Sequence, residues 1–536
     1  MLTARPAIGP WLAVWALAVL PGCPSSAPEP ASPGAPLPRA EDWHKPDIEL
    51  HRALARPPWL GLDTGQGVPV AIKGKRAATV QIEYRRLASA SADEPQTVDA
   101  RRSHAVLLDQ ASDFSATLHL VDIEPDTRHE YRVLIEGEES TQWYRFRSLP
   151  APGQPAAFRF AFSACVRQKY RPHHVFHSIW QERASFLALM GDNMYADYDG
   201  DLNALEEFRS ASPERREEIL RSSDGVAGED TVLAAFRNKY HRTFDDDYVR
   251  RVQPELPTLA IWDDHDFGED NADGTYRYKR QARQAFLETF PAAQRAAGDS
   301  GGLHHSLQVG DVDLFVLDTR WYRTPPDQPQ RTMLGRQQLH WLLDGLARSR
   351  APFKLVLSSV SLNEHGADGF VEHDGRDNWS GYRVERQRIV DFVAERNITG
   401  VVFVSGDQHY PSAHVLGWTE RPVPDTRTAH SLSFDLSRMP HAIWDFSASP
   451  LDYRRGKGMA LTDEQQRDPA GSFELYRPLW AHPENHPHTL KSVVGNIYGV
   501  IDIDTRGAKK TLTVRFKELD LARARVRELF RVALRL

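Results

Sequence analysis

The chain has 536 residues, which is too long for one ordinary domain, so we expect two folded units and a leader. Its hydrophobic (41%) and charged (26%) fractions are those of a soluble globular protein. The formal net charge of -7 argues against a nucleic-acid-binding protein, because such proteins usually carry a strong basic excess.

The N-terminus has the features of a secretory signal. Arg5 precedes an apolar run over residues 7–20, and Gly22 and Cys23 follow it. The sequence LPGC at Cys23 resembles a bacterial lipobox, in which the cysteine is lipidated after cleavage. We therefore expect a signal peptide over residues 1–22 and a lipidated Cys23, which would leave the protein anchored to a membrane and facing the periplasm or the cell exterior. Pro21 departs from the usual small residue, so a cleaved signal with a soluble product is the alternative.

A tether and a β-rich unit come next. Residues 23–45 hold the lipidated cysteine and a stretch rich in Pro, Ala and Ser, which predicts a disordered tether. Residues 46–152 contain short alternating strands. Within them, residues 120–133 resemble the pattern of a fibronectin type III or immunoglobulin-like sandwich, in which a turn precedes a strand with an inward tyrosine, here Tyr131.

Residues 153–536 alternate strand-like and helical segments. Several short runs are almost continuously apolar, as in residues 186–190 and 401–405, and such strands are usually buried on both faces. Leu339, Leu342, Leu343 and Leu346 fall on one face of a predicted helix. These patterns predict an α/β sandwich with helices outside. Residues 199–250 predict a charged, mostly helical excursion, and residues 522–536 fit a helix or a strand.

Polar clusters directly follow four of the predicted strands. They are Ser163–Cys165, Gly191–Tyr195, Trp262–Asp266 and Ser405–His409. Open α/β folds bind their ligands at the carboxyl ends of strands. Burying neighbouring carboxylates is costly unless cations neutralise them. One such cluster fits a solvated loop equally well, but the four together predict a metal site.

The motifs that carry these clusters resemble a known family. In chain order they are FRFAFSAC, GDNMYADY, AIWDDHDFG, LDTRWYR and SGDQH. They resemble the alkaline phosphatase D (PhoD-like) metallophosphoesterases over most of residues 45–505. The resemblance implies a catalytic domain over residues 153–536 built as a metallophosphoesterase-type sandwich of two mixed sheets flanked by helices. The Ser-Ala-Cys cluster and the acidic loop Gly268–Gly274 depart from the family pattern.

Two ligand sets are expected at this site. The first includes two strongly donating anions and so favours a trivalent transition metal, which the resemblance implies to be Fe(III): Cys165, Asp192, Tyr195 and His409. The second contains only oxygen donors and suits Ca²⁺, with Mn²⁺ or Zn²⁺ as alternatives: Asp192, Asp264 and Asp407. The GD-x-x-Y spacing is also similar to that of purple acid phosphatases, in which the aspartate bridges two metals.

Two further residues are catalytic candidates. His265 is expected to protonate the leaving group or bind phosphate, unless it only orders Asp264. Arg320, in a D-x-R element of the family, is expected to bind phosphate, unless it pairs internally with Asp318. Other histidines, His173 among them, show no partner pattern and are expected on the surface.

The resemblance implies metal-dependent hydrolysis of phosphomonoesters or phosphodiesters by in-line attack of a metal-activated hydroxide at a multinuclear site. The substrate is then a small phosphate ester or a phospholipid. The alternatives are a phospholipase-type esterase of the same fold and a non-catalytic surface-binding lipoprotein. A degenerate binder should have lost a metal ligand, and none is missing from the sequence.

Overall fold

The computed structural model describes most of the chain beyond the leader. The described residues are 49–63, 65–87, 100–197, 225–291, 301–362, 377–416, 431–452, 476–481, 496–521, 523 and 525–536. The predicted signal peptide, Cys23 and the tether lie outside them and stay predictions. Among the described residues, no helix is long and apolar enough to cross a bilayer.

The N-terminal unit consists of two small antiparallel sheets. One contains β1 (Trp59–Leu60), β2 (Val68–Lys73) and β6 (Ser115–Leu120). The other contains β3 (Ala78–Arg86), β4 (Arg101–Arg102), β5 (Val106–Leu108), β7 (Arg128–Ile135) and β8 (Tyr144–Arg147). Alternate residues of both sheets, such as Ile72 and Val133, share one buried cluster. The unit is thus a two-sheet sandwich, and its fibronectin- or immunoglobulin-like character stays a prediction.

Two seven-stranded mixed sheets form the larger unit. In spatial order, the first contains β11 (Thr258–Ile261), β10 (Phe186–Met190), β9 (Ala157–Ser163), β20 (Ile497–Asp504), β21 (Thr511–Asp520), β22 (Arg525–Arg535) and β17 (Ser431–Asp435). The second contains β12 (His305–Val309), β13 (Val312–Val316), β14 (Lys354–Ser358), β15 (Val401–Ser405), β18 (Ile443–Ser447), β16 (Ser412–Leu416) and β19 (Tyr476–Ala481). The ambiguous C-terminal segment is therefore largely a strand, β22.

Helices cover the outer faces of both sheets. They are α1 (Val175–Gln181), α2 (Gly225–Phe244), α3 (Asp247–Glu255), α4 (Asp264–Phe267), α5 (Lys279–Thr289), α6 (Gly335–Arg348) and α7 (Arg383–Glu395). Asp246 begins α3 by accepting hydrogen bonds from the backbone N–H groups of Tyr248 and Val249. The leucines predicted to share one face of α6 are all buried.

The alternation of strand side chains produces three hydrophobic layers. Phe160 of the first sheet and Leu355 of the second belong to the cluster between the sheets. Leu189 faces the other way, into a cluster with helix residues such as Phe286. Val356 and Leu342 belong to the equivalent layer outside the second sheet. The central strands of each sheet are therefore covered on both faces, which explains their continuous apolar sequences.

The N-terminal unit packs directly on the helices of the larger one. The ring of Trp59 lies 4.9 Å from those of Phe244 and Phe290. Gly61 forms a parallel bridge with Thr258 at the edge strand β11. The inward Tyr131 donates its hydroxyl hydrogen to the carbonyl of Pro254, 2.9 Å away. The two units thus share core and hydrogen bonds.

Candidate metal centre

Strand topology brings the four polar clusters to one place. β9, β10 and β11 run parallel, as do β14 and β15 of the facing sheet. The segments that follow β9 and β15 come into close approach, because a Cβ on Gly406 would lie 2.3 Å from that of Ala164. The amide of Cys165 donates to the carbonyl of Gly191 at 3.1 Å. The carboxyl ends of strands from both sheets thus share one edge.

The first predicted ligand set converges on Asp192. The Oδ2 atom of this residue lies 3.5 Å from Sγ of Cys165 and 3.1 Å from the hydroxyl of Tyr195. The same hydroxyl is 3.1 Å from Nε2 of His409. Ligand atoms of Cys165, Asp192 and His409 all lie within 4.8 Å of one another. Thiol, carboxylate, phenol and imidazole are therefore gathered around one point.

The backbone at these positions is in the left-handed region. Cys165 has φ 67°, Asp192 51°, Asp407 60° and His409 55°. Non-glycine residues rarely adopt this conformation, and it costs of order 1–3 kcal/mol each. Such strain concentrates at functional sites, where surrounding structure fixes the turn. Here it directs the side chain that follows each strand toward the common centre.

Two acids of the second predicted ligand set lie together, with His265 beside them. Ligand atoms of Asp192, Asp264 and His265 lie within 4.8 Å of one another. Among the described residues, Asp407 belongs to neither such group, although its buried carboxyl lies close enough to raise the pKa of Cys165. A histidine nitrogen thus lies beside two of the oxygen donors of this set.

The acids of the Trp262–Asp266 cluster have different partners. Asp266 accepts the backbone N–H of Asp263 at 3.0 Å, one half of a capping box at the start of α4. Asp264 Oδ2 accepts the N–H of Asn271 at 2.7 Å. Asp263 accepts from Nε of Arg320 at 2.6 Å and from the hydroxyl of Ser359 at 2.8 Å.

Arg320 is completely buried, and its guanidinium pairs with three acids, the longest contact being 3.6 Å from Nη2 to Oδ1 of Asp264. Besides Asp263, it donates to both carboxylate oxygens of Asp377, at 2.6 and 2.9 Å. The expected internal pair with Asp318 is wrong, because the contact between the two runs through the backbone N–H of Arg320 and not through its guanidinium. Asp377 is 57 residues away in sequence, and no local pattern links the two. Phosphate binding by Arg320 stays a prediction.

His265 is held by a residue that the sequence did not single out. Its Nδ1 lies 2.6 Å from Oδ1 of Asp197, and a ring nitrogen is also within 4.8 Å of Asp264. Its ring is also 4.2 Å from that of Tyr195. A signal was present, since Asp197 lies two residues after Tyr195 in GDNMYADY, but the pattern gave it no function.

His173 lies inside the protein instead of on its surface. The side chain is fully buried, with Nδ1 2.6 Å from Oδ2 of Asp452 and Nε2 3.2 Å from the carbonyl of Thr243. A buried histidine with both nitrogens engaged is a structural element here. Its partners come from distant segments, which explains why no sequence pattern marked it.

The electrostatics of the centre disfavour several negative charges at once. Burial, reinforced by Asp264 and Asp263, raises the pKa of Asp192 well above its ordinary value. Burial, with Asp377 and Asp263, does the same for the pKa of Asp407. Burial, followed by Asp192 and Asp407, raises the pKa of the Cys165 thiol. Cations at this position would reverse these effects.

Four buried carboxylate oxygens fit a cation. Among the described residues, Oδ1 of Asp192, Oδ2 of Asp263, Oδ1 of Asp264 and Oδ2 of Asp407 have no hydrogen-bond partner. Buried oxygens of this kind are costly unless they are paired, and metal coordination satisfies them. The donor set therefore fits bound metal ions.

Comparison with known proteins agrees with this geometry. The family model described as PhoD-like phosphatase matches residues 160–486. The chain belongs to this family. As in other PhoD-like phosphatases, a metal centre is expected, and candidate ligand groups for it exist. Alkaline phosphatase D of Bacillus subtilis (strain 168) is 25% identical over 317 residues, which is 54% of this chain and 52% of that relative. The match thus spans about half the length of the curated relative.

Two solved structures share the fold. The structure of PhoD covers 90% of this PhoD-like chain and 93% of its own, with a TM-score of 0.60 and 16% identity. A purple acid phosphatase, PPD1 from yellow lupin (Lupinus luteus) seeds, covers 89% of this chain and 74% of its own, with a TM-score of 0.52 and 11% identity. Both matches support the mixed α/β fold.

Proposed function

We propose that the protein is a metal-dependent phosphoric ester hydrolase acting on phosphomonoesters, phosphodiesters or both. The observation that carries the proposal is the buried cluster around Asp192, in which thiol, phenol, imidazole and carboxyl groups meet beside carboxylate oxygens that have no hydrogen-bond partner among the described residues. Membership of the PhoD-like phosphatase family supports this chemistry. A non-catalytic binder is disfavoured because every expected ligand type is retained.

The ligand groups support a multinuclear site. Cys165, Asp192, Tyr195 and His409 would hold Fe(III), because thiolate and phenolate are strong anionic donors. Asp192, Asp264 and Asp407 would hold Ca²⁺, with Mn²⁺ or Zn²⁺ as alternatives, because among the described residues each has a buried carboxylate oxygen without a hydrogen-bond partner. Bound metals would supply Lewis-acid polarisation of the phosphoryl group.

The chain's own residues would complete the reaction. Asp192 lies in both ligand groups, so its carboxylate would hold the two groups close together. His265 would donate a proton to the leaving oxygen from the nitrogen that does not face Asp197. Arg320 would keep Asp263 and Asp377 in place, and would bind phosphate only by releasing Asp377.

The test measures metal content and hydrolysis of p-nitrophenyl phosphate and bis-p-nitrophenyl phosphate by the purified protein. Asp192→Asn should abolish turnover and lower total metal, because it weakens both ligand groups. Asp344→Asn, a change at an exposed ion pair on α6, should alter neither. Activity lost to a calcium-selective chelator should return with Ca²⁺ more than with Zn²⁺. A metal-loaded wild type inactive on both esters would exclude the proposal.

Phospholipid is one class of substrate that this proposal includes. We also propose that the protein is exported and attached to a membrane through Cys23. The LPGC sequence after an apolar run supports this. Cys23→Ala should release the protein from the membrane fraction. A wild type already found in the soluble fraction would show that Pro21 prevents lipidation, without affecting the catalytic proposal.

A further inference from the structure

Asp197 and His265 form a buried pair beside the proposed metal centre. Oδ1 of Asp197 lies 2.6 Å from Nδ1 of His265, and Oδ2 accepts the backbone N–H of Asp270 at 3.0 Å. Asp197 is only 2% exposed. An ionised carboxylate at this position would accept a hydrogen from Nδ1. The contact therefore determines which ring nitrogen is engaged.

The opposite edge of the imidazole is then directed toward the acids. Nε2 of His265 lies 3.8 Å from Oδ1 of Asp270. A ring nitrogen of His265 is within 4.8 Å of carboxylate oxygens of Asp192 and Asp264. The face of the ring lies against Tyr195, with an angle of 34° between the rings. The ring is thus restrained at Nδ1 and on one face.

We infer that Asp197 is a positioning residue, which orients His265 so that Nε2 is the nitrogen available at the reaction centre. A partner of this kind fixes the tautomer and orientation of a working histidine, and its loss costs about 10–100-fold in activity or metal affinity. The inference deepens the proposed function and rests on it for the kinetic part of its test.

The kinetic test uses Asp197→Asn. The amide has nearly the same shape but can present either oxygen or nitrogen to Nδ1, so it no longer imposes one orientation on the ring. We expect kcat for p-nitrophenyl phosphate to fall about 10–100-fold with KM unchanged. The double variant Asp197→Asn/His265→Ala should be no slower than His265→Ala. Full additivity, or an unchanged kcat, would overturn the inference.

Asp246→Asn is the matched control. Asp246 is also buried and accepts backbone N–H groups, but it caps α3 and belongs to neither candidate ligand group. Its amide variant should lower the unfolding midpoint and leave kcat unchanged. A kcat loss equal to that of Asp197→Asn would mean that any buried acid lost from this unit impairs turnover, which contradicts a specific role.

A second readout is independent of metal and activity. A buried imidazole N–H donated to a carboxylate gives a deshielded, slowly exchanging proton signal in histidine-labelled protein. His173 with Asp452 is a second such pair, also at 2.6 Å, and serves as an internal reference. In metal-free protein, Asp197→Asn and His265→Ala should remove the same signal and keep the His173 signal. If Asp197→Asn leaves both, the inference fails; an inactive wild type would instead count against the proposed function.

Discussion

The single residue Cys165 shows how burial and metal binding oppose each other. Its side chain is fully buried, and burial together with Asp192 and Asp407 raises the pKa of the thiol. A metal ion must therefore displace a proton to bind here. Because Sγ is inaccessible in the folded chain, alkylation should be slow whether or not metal is bound, and metal content is the better measurement.

Cys165→Ser should lower the iron content and remove any visible thiolate-to-iron absorption band, since an alcohol is a far weaker anionic donor. Elemental analysis and visible spectroscopy of purified protein measure both. Cys23→Ala, at the other cysteine of the sequence, should change neither. Unchanged iron in Cys165→Ser would remove this residue from the ligand set.

Turns at the ends of strands set the geometry of the candidate metal centre. Gly191 follows β10 with φ +103°, and a Cβ there would lie 2.6 Å from that of Asp263. The glycine lets the loop carrying Asp192 approach the loop carrying Asp263. Elsewhere the same backbone conformation occurs without crowding, as at Gly137, where φ is +72° and nothing lies within 4 Å.

Gly191→Ala should therefore reduce metal content and activity strongly, because Asp192 and Asp263 must move apart. Gly137→Ala should cost only the left-handed backbone strain, about 1–2 kcal/mol, and keep full activity. Metal analysis and denaturant unfolding of the two variants make the comparison. Equal stability losses with metal retained in both would contradict a crowding effect at Gly191.

The five-stranded sheet of the N-terminal unit contains a buried acid shared by two arginines. Glu83 accepts from Nε of Arg132 at 2.8 Å and from a terminal nitrogen of Arg102 at 3.0 Å. Burial acts to raise the pKa of Glu83, but the hydrogen bonds from Arg132 and Arg102 outweigh it and hold the pKa below its ordinary value. The pair therefore stabilises the fold above about pH 4.3, and this contribution is lost as pH falls through the lowered pKa.

Glu83→Gln should lower the free energy of unfolding by about 1 kcal/mol at pH 7, since both arginines are partly exposed. The difference from wild type should shrink as the pH falls below about 4. Glu124→Gln breaks an exposed pair with Arg86 and should change stability by less than about 0.5 kcal/mol. A pH-independent difference for Glu83→Gln would exclude a charge effect.

The N-terminal unit and the larger α/β unit share an aromatic interface. Trp59 from the N-terminal unit is 1% exposed, contacts Phe244 and Phe290, and lies in the same hydrophobic cluster as residues behind the first large sheet. Their cores are continuous at this point. We therefore expect the chain to unfold in one transition.

Trp59→Ala should cost about 3–5 kcal/mol and lower the midpoint of that single transition. Trp143, partly exposed and stacked by Arg85 and Arg132 on the outer face of the N-terminal sheet, provides the comparison. Trp143→Ala should cost about 1 kcal/mol. Calorimetry that resolved two transitions in the wild type would show that the units unfold independently.

Much of the fold and the metal centre follows from the sequence alone. Apolar strands of five residues or so must be buried on both faces, and acids placed just after such strands must meet at one sheet edge and need cations. These local rules predicted the layered α/β unit, and the structure gathers Cys165, Asp192, Tyr195 and His409 around one point. The assignment of each metal stays a proposal.

Only the tertiary structure decided how the charged side chains pair. Arg320 pairs with Asp263 and Asp377 instead of Asp318, and Nδ1 of His265 contacts Asp197, a residue to which the sequence pattern gave no function. His173 is buried against Asp452, which lies 279 residues away. A buried charged side chain pairs with the group that the fold brings next to it. When the two residues are far apart in sequence, no spacing in the sequence reveals the pair.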